Sequence, residues 1–154
     1  MRIVGLDVGA RRIGVAISDA TGTLARPVGV LRPAGLEADA PRVTATEVAR
    51  LRSEEDGVSA LVVGLPSRLD GSPNDMTARV RAFAEALGRL TGLPVMLQDE
   101  RLSSREAESR LAVTIKDWRA RKTRLDAAAA AIILQDYLDA GAHRSRSMTE
   151  DSGS

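Results

Sequence analysis

Acidic side chains stand where strands are predicted to end and where a helix is predicted to begin. Asp7 follows an apolar run, Asp99 and Glu100 follow a second one, and Asp126 opens an alanine-rich segment. A carboxylate in or beside a buried strand is costly unless it is paired, hydrogen-bonded or bound to a metal. Together the acids offer an all-oxygen ligand set, which suits Mg²⁺ or Mn²⁺ rather than zinc.

The composition excludes most other catalytic chemistry. The 154-residue chain has no cysteine and one histidine, His143. Thiolate zinc sites, cysteine nucleophiles and disulfides are therefore excluded, and serine–histidine triads are not expected. Carboxylates that hold two hard cations roughly 4 Å apart are a standard apparatus for cleaving phosphodiester bonds.

Each acid also has a purely structural interpretation. Asp7 fits a salt bridge with an arginine of the turn that follows, and Glu100 fits an ion pair with its neighbour Arg101. Asp126 suits the first turn of a helix, where a negative charge complements the dipole. Asp19, after the second predicted strand, is interpreted as a turn residue rather than a ligand.

A basic segment directly precedes Asp126. Residues 116–124 contain five basic side chains and one acid, although the whole chain has a net charge of only +1. The segment is either a solvated loop or an arm that contacts nucleic-acid phosphates. The candidate backbone contacts are Arg11, Arg12, Lys122 and Arg124. Aromatic residues make up 2% of the chain, so base-stacking platforms are not expected.

The elements that must position these residues follow from hydrophobic periodicity. Strands are predicted at 2–8, 12–18, 27–32, 60–64 and 94–97, and helices at 41–54, 76–90, 103–113 and 125–140. Asn74 is the expected N-cap of the second helix, and Gly92 is expected to end it. The first two strands form a hairpin, and strand–helix–strand crossovers follow. This order predicts an α/β fold with a mixed sheet flanked by helices.

The length and composition indicate one domain. Hydrophobic residues make up 44% of the sequence, which suits a single core. We expect one domain at residues 1–140 and a disordered polar tail at residues 141–154. The first residues do not form a signal peptide, and the longest apolar run falls short of the roughly 20 residues that cross a bilayer. A cytoplasmic protein without membrane association is expected.

Four sequence blocks, in order, resemble the YqgF family, also called RuvX. The blocks cover residues 1–140. They are Gly5-Leu6-Asp7-Val8-Gly9 with Arg11-Arg12-Ile13-Gly14-Val15-Ala16; Val62-Val63-Gly64-Leu65-Pro66 with Asp70-Gly71; Asp99-Glu100-Arg101-Leu102-Ser103-Ser104; and Lys122 with Asp126, Ala129-Ala130, Ile133-Leu134-Gln135 and Tyr137-Leu138.

The resemblance implies a ribonuclease H-like fold related to Holliday-junction resolvases. It implies a nuclease site built from Asp7, Glu100 and Asp126, with Asp99 as a substitute for Glu100. We expect Asp7 to hold two Mg²⁺ or Mn²⁺ ions, with Glu100 holding one of them and Asp126 the other. Family members are described as nucleases that mature the 5′ end of the 16S rRNA precursor, and some as resolvases of branched DNA.

Two other functions stay open from the sequence. A nucleic-acid-binding protein with a vestigial site would bind RNA or DNA without metal-dependent turnover. A phosphotransferase of the actin and sugar-kinase type also begins with an acid and a glycine turn, but it uses two such domains, and this chain has room for one. The expected partner is an rRNA precursor, alone or in a ribosomal assembly, or branched DNA. Cutting two strands of a junction favours a homodimer, whereas a monomer suffices for RNA trimming.

Overall fold

The computed structural model describes residues 1–66, 72–99 and 127–152. Within these residues, five strands form one sheet in the order β3-β2-β1-β4-β5. The strands are β1 (Arg2–Val8), β2 (Ile13–Ser18), β3 (Ala25–Leu31), β4 (Val58–Leu65) and β5 (Val95–Asp99). The helices are α1 (Ala40–Arg52), α2 (Thr77–Thr91) and α3 (Ala128–Ser152).

The sheet is mixed, as the order of elements predicts. β2 pairs antiparallel with β1 and with β3. β4 pairs parallel with β1 and with β5. The chain passes through a helix between β1 and β4 and again between β4 and β5. Because these three strands are parallel, they all finish at the same end of the sheet.

Alternation along β1 separates two hydrophobic layers. Val4, Leu6 and Val8 pack with buried residues of α1 and α2 on one face. The other face is covered by α3, whose Ala130 and Leu134 pack with residues of β2 and β4. Because side chains alternate across a strand, Gly5 and Asp7 belong to the face that α3 covers.

Helix α3 approaches the sheet very closely at Gly5. A Cβ atom on Gly5 would lie 2.6 Å from the Cβ of Leu134 and 3.2 Å from the carbonyl oxygen of Ala130. Ala130 and Ala131 are fully buried. Alanine on the helix and glycine on the strand therefore bring the two backbones together, as the alanine-rich segment predicts.

A buried glutamine fixes the direction of α3. The Oε1 of Gln135 accepts from the backbone N–H of Ala25 at 2.9 Å, and its Nε2 donates to the carbonyl of Thr23 at 2.9 Å. Ala25 pairs with Ser18, at the end of the sheet where β1 begins. Since earlier residues of the helix lie against Gly5, α3 runs antiparallel to β1. It therefore begins at the end of the sheet where Asp7 lies.

The helices α1 and α2 follow their predicted apolar stripes, with one exception. Val80, Phe83 and Leu87 are buried, but Leu90 is 57% exposed. The prediction of Leu90 as part of the buried face is wrong because it lies in the last turn. Gly92 ends the helix in a left-handed conformation with φ 70°, as predicted.

The predicted N-cap of α2 differs in position. Met76 is the N-cap residue, and it makes no side-chain cap hydrogen bond. The side chain of Asn74 nevertheless accepts from the backbone N–H groups of Met76 at 2.9 Å and Thr77 at 3.1 Å. Asn74 thus satisfies donors at the helix start from two positions earlier.

Three further predictions also change. β3 begins at Ala25 and includes Pro27, which an edge strand tolerates. β5 is an edge strand of the described sheet, and its Leu97 is 38% exposed rather than buried. Helix α3 continues through residues 141–152, which the sequence predicts as tail, because no proline stops it there. The predicted helix at 103–113 and basic loop at 116–124 lie outside the described residues.

Within the described ranges, none of the helices combines the length and the apolarity needed to cross a membrane.

Candidate active site

Asp7 lies between two glycines in the centre of the sheet. It is half-buried and pairs with Gly14 of β2. On its other side, Leu6 pairs with Val63, so Gly64 is the next residue of β4 beside it. Neither neighbouring strand therefore places a side chain next to the Asp7 carboxylate on this face. Glycine at such positions leaves room for a ligand to approach the sheet.

The start of α3 lies on the same face and at the same end of the sheet as Asp7. Ala127, the residue before the helix, is fully buried, and its carbonyl accepts from the N–H of Ala131 at 3.1 Å. The first turn of the helix is thus packed in place rather than frayed. The chain enters this turn directly after Asp126, which is itself outside the described residues.

The end of β5 supplies a polar pair to this face. Gln98 pairs with Gly64 of β4, which places it two strands away from Asp7 and level with it. Its Nε2 donates to the Oδ2 of Asp136 on α3 at 3.0 Å. The side chain of Gln98 therefore points to the face that α3 covers.

Asp99 belongs to the opposite face. It follows Gln98 within β5 and pairs with Leu65. Met96 packs with the α3 layer, whereas Val95 packs with the layer of α1 and α2, so alternation holds along this strand. By the same alternation Asp99 faces away from Asp7.

Two predicted phosphate contacts lie close in sequence to Asp7. The N–H of Gly9 donates to the carbonyl of Arg12 at 2.8 Å and closes the β1–β2 hairpin with Ala10 and Arg11 at its tip. Arg11 and Arg12 are exposed. The hairpin therefore presents two guanidinium groups at the end of the sheet where Asp7 lies.

The remaining predicted site residues are Glu100, Asp126, Lys122 and Arg124, and all of them lie outside the described residues. Among the residues that the structure describes, no three acidic or histidine side chains form a metal-binding group. Of the three predicted metal ligands, the structure describes Asp7.

Asp19 is a turn residue, as predicted. Its carboxylate accepts from the Thr21 hydroxyl at 2.7 Å and from the N–H groups of Thr23 at 2.8 Å and Leu24 at 3.2 Å. Burial acts to raise the pKa of Asp19, but these hydrogen bonds together lower it below its ordinary value.

Sequence reasoning assigned no role to four residues of this face. Gly14 and Gly64 are the neighbours of Asp7 on the adjacent strands, and Gln98 and Asp136 join β5 to α3. The glycines could have been found as interruptions in two apolar strand patterns. No pattern in the sequence indicated the Gln98–Asp136 contact, because its two residues are far apart in the chain.

Solved structures show the same fold. The RuvC of Thermus thermophilus superposes with a TM-score of 0.56 at 17% identity, covering 92% of this chain and 97% of that one. The same protein in complex with a Holliday junction gives a TM-score of 0.55 at 18% identity. At these identities the likeness shows the fold, which is ribonuclease H-like, as the resemblance implies.

Sequence relatives cover nearly the whole chain. A protein of Anaeromyxobacter sp. (strain Fw109-5) is 49% identical over 139 residues, covering 90% of this chain and 97% of its own. One of Symbiobacterium thermophilum is 45% identical over 145 residues, covering 94% and 96%. Both carry the name "Putative pre-16S rRNA nuclease". The family described as "RuvX: Holliday junction resolvase" matches residues 1–140, and this chain belongs to the RuvX family.

Proposed function

We propose that this protein is a metal-dependent nuclease that hydrolyses phosphodiester bonds and matures the 5′ end of the 16S rRNA precursor in the cytoplasm. The observation that carries the proposal is the position of Asp7. Its carboxylate is half-buried in the centre of the sheet, with Gly14 and Gly64 on both sides. The names of relatives at 49% and 45% identity support the substrate.

The surroundings of Asp7 fit a hard divalent cation. A carboxylate oxygen is the kind of ligand that Mg²⁺ and Mn²⁺ prefer, and the glycines on both sides place no side chain next to it on the adjacent strands. We assign Asp7, Glu100 and Asp126 as the ligands. Two bound cations supply Lewis acidity, which activates water and stabilises the leaving oxygen.

The register of β5 supports Glu100 over Asp99 as the second ligand. Gln98 faces α3 together with Asp7, and Asp99 belongs to the other face. If the alternation continued by one residue, position 100 would belong to the face of Asp7. The direction of α3 supports Asp126, because the helix begins at the end of the sheet where Asp7 lies.

The arginines of the hairpin would hold the substrate backbone. Arg11 and Arg12 are exposed beside the candidate site, and guanidinium groups bind phosphate oxygens with two parallel hydrogen bonds. We assign Lys122 and Arg124 the same role from the sequence. Such contacts read no base, so they orient the chain rather than select its sequence.

The test is cleavage of two labelled substrates, an rRNA precursor fragment and a four-way DNA junction. Each is incubated with Mn²⁺, Mg²⁺ or EDTA and with the wild type or Asp7→Asn. Asp56→Asn is the matched control, because Asp56 is exposed after α1, on the layer away from α3. We expect cleavage of the RNA that needs the metal and Asp7 and is unchanged in Asp56→Asn.

Other outcomes overturn parts of the proposal. Cleavage in EDTA, or full activity of Asp7→Asn, contradicts the assigned site. Salt-sensitive binding without cleavage of either substrate identifies a non-catalytic nucleic-acid-binding protein. Cleavage of RNA only within ribosomal particles identifies an enzyme that requires that assembly.

The second candidate function is resolution of branched DNA, which the description of the matching family favours. Symmetric cleavage of the junction but not of the RNA would establish it. Cutting both strands of a junction requires two sites, so a homodimer is expected for a resolvase, whereas a monomer is expected for an enzyme that matures RNA.

A further inference from the structure

Helix α3 is fastened to both outer strands of the described sheet by two consecutive residues. Gln135 bonds to Ala25 at the start of β3, and Asp136 accepts from Gln98 near the end of β5. β3 and β5 lie on opposite sides of the sheet. The helix is therefore held at both sides by side-chain hydrogen bonds.

The bond to β5 joins segments that apolar packing holds less firmly. The fully buried Gln135 holds its side of the helix through two hydrogen bonds, one from the N–H of Ala25 and one to the carbonyl of Thr23. On the β5 side, Met96, which packs with the α3 layer, is only half-buried. The Gln98–Asp136 bond is also half-buried, and its acceptor is a carboxylate, which makes it stronger than a neutral pair.

Along the chain, the two bonded residues flank two of the assigned ligands. Glu100 follows Gln98 by two residues, which is at most about 7 Å of extended backbone. Asp126 directly precedes the first turn of the helix that carries Asp136. The third ligand, Asp7, shares the face of Gly5, against which the same helix packs.

We propose that Gln98 and Asp136 are a positioning pair, which sets the distance between the β5 end and α3 and thereby the affinity of the site for its metal ions. The inference rests on the proposed function. Neither side chain is a ligand. The pair acts through Glu100 and Asp126, as partners outside the coordination shell do in other metal sites.

A double-mutant cycle tests the pair. Gln98→Met removes the donor and keeps an unbranched chain, Asp136→Ala removes the acceptor, and Asp136→Asn keeps an acceptor. Glu85→Ala, an exposed acid on α2 at the opposite face, is the control for the loss of a helical carboxylate. The readouts are Mn²⁺ affinity by calorimetry, the Mn²⁺ concentration for half-maximal cleavage, and the thermal midpoint.

We expect Gln98→Met and Asp136→Ala each to weaken Mn²⁺ binding about fivefold or more. The double variant should be no weaker than either single variant, because both remove the same bond. Asp136→Asn and Glu85→Ala should stay within about twofold of the wild type.

The outcomes separate this inference from the proposed function. Lower thermal midpoints with unchanged Mn²⁺ affinity would show that the bond only stabilises the fold, and additive losses would show that the residues act independently. Either result overturns the positioning pair. Mn²⁺ affinity that is unaffected by Asp7→Asn overturns the assigned site, whereas an effect of Asp7→Asn without one of Gln98→Met overturns the pair alone.

Discussion

Gly5 of β1 and Leu134 of α3 are so close that a methyl group on Gly5 would lie 2.6 Å from the Cβ of Leu134. This contact determines how near the helix comes to the sheet. Asp7 is two residues further along the same strand and on the same face. The separation between Asp7 and the start of α3 therefore depends on a glycine that takes no part in the chemistry.

Gly5→Ala should destabilise the protein by about 1–3 kcal/mol, because the helix must move away from the sheet. Gly29→Ala is the matched control, since Gly29 also lies in a strand but has open space around its Cβ position. It should be neutral or slightly stabilising. Urea unfolding measures both, and equal effects would contradict the role of the close contact.

Gly14→Ala should lower the cleavage rate about tenfold or more at a temperature where the variant is still folded. The new methyl group would stand directly beside the Asp7 carboxylate, since the two residues are cross-strand partners. Small misplacements at a reacting centre have large effects on rate. The rate is measured at saturating metal, with Gly29→Ala again as the control. An unchanged rate would show that the space beside Asp7 is not used.

Gln135→Met should cost about 2 kcal/mol of unfolding free energy. The variant keeps the length of the side chain but leaves the N–H of Ala25 without its acceptor in the protein interior. Leu138→Met, a volume-conserving change in the same helix, should cost less than about 1.5 kcal/mol. Denaturant unfolding at neutral pH compares the two. A smaller loss for Gln135→Met than for Leu138→Met would mean that the hydrogen bonds do not anchor α3.

Substituting Arg11 and Arg12 together by Gln should reduce the salt dependence of nucleic-acid binding. Each lost phosphate contact lowers the slope of log K against log salt by roughly 0.7–0.9. The control is the double change of Arg42 and Arg89 to Gln, which removes the same charge from exposed positions on α1 and α2. Binding is measured in EDTA so that no cleavage occurs. Equal slopes for the two double variants would contradict the assignment of the hairpin arginines.

Asp19→Asn should make the protein less sensitive to acid. The pKa of Asp19 is lowered in the folded state, so its contribution to stability is present above the unfolded value of about 3.9 and is lost as the pH falls through the folded value. The contribution should be less than about 1 kcal/mol, because the carboxylate is exposed to solvent. Thermal unfolding between pH 7 and pH 2 should show a smaller loss for the variant. A pH dependence identical to that of the wild type would refute this account.

The sequence by itself determined the element types and limited the kinds of ligand that the chain could offer to a metal. Apolar runs and helical stripes are local patterns, so strands such as Arg2–Val8 and helices such as Ala40–Arg52 could be predicted within a few residues. Because the chain has no cysteine and a single histidine, carboxylates are the ligands that its sequence offers to a metal. The motifs around Asp7 and Asp126 indicated the family to which the chain belongs.

The tertiary structure decided which residues share a face and an end of the sheet. The strand order places Asp7 between Gly14 and Gly64, and the register of β5 turns Gln98 toward α3 and Asp99 away from it. These relationships depend on pairing between distant segments, and a shift of one residue in register would exchange the two faces. Local sequence patterns do not predict such pairings, because the pairings form only when the helix and the strands pack together.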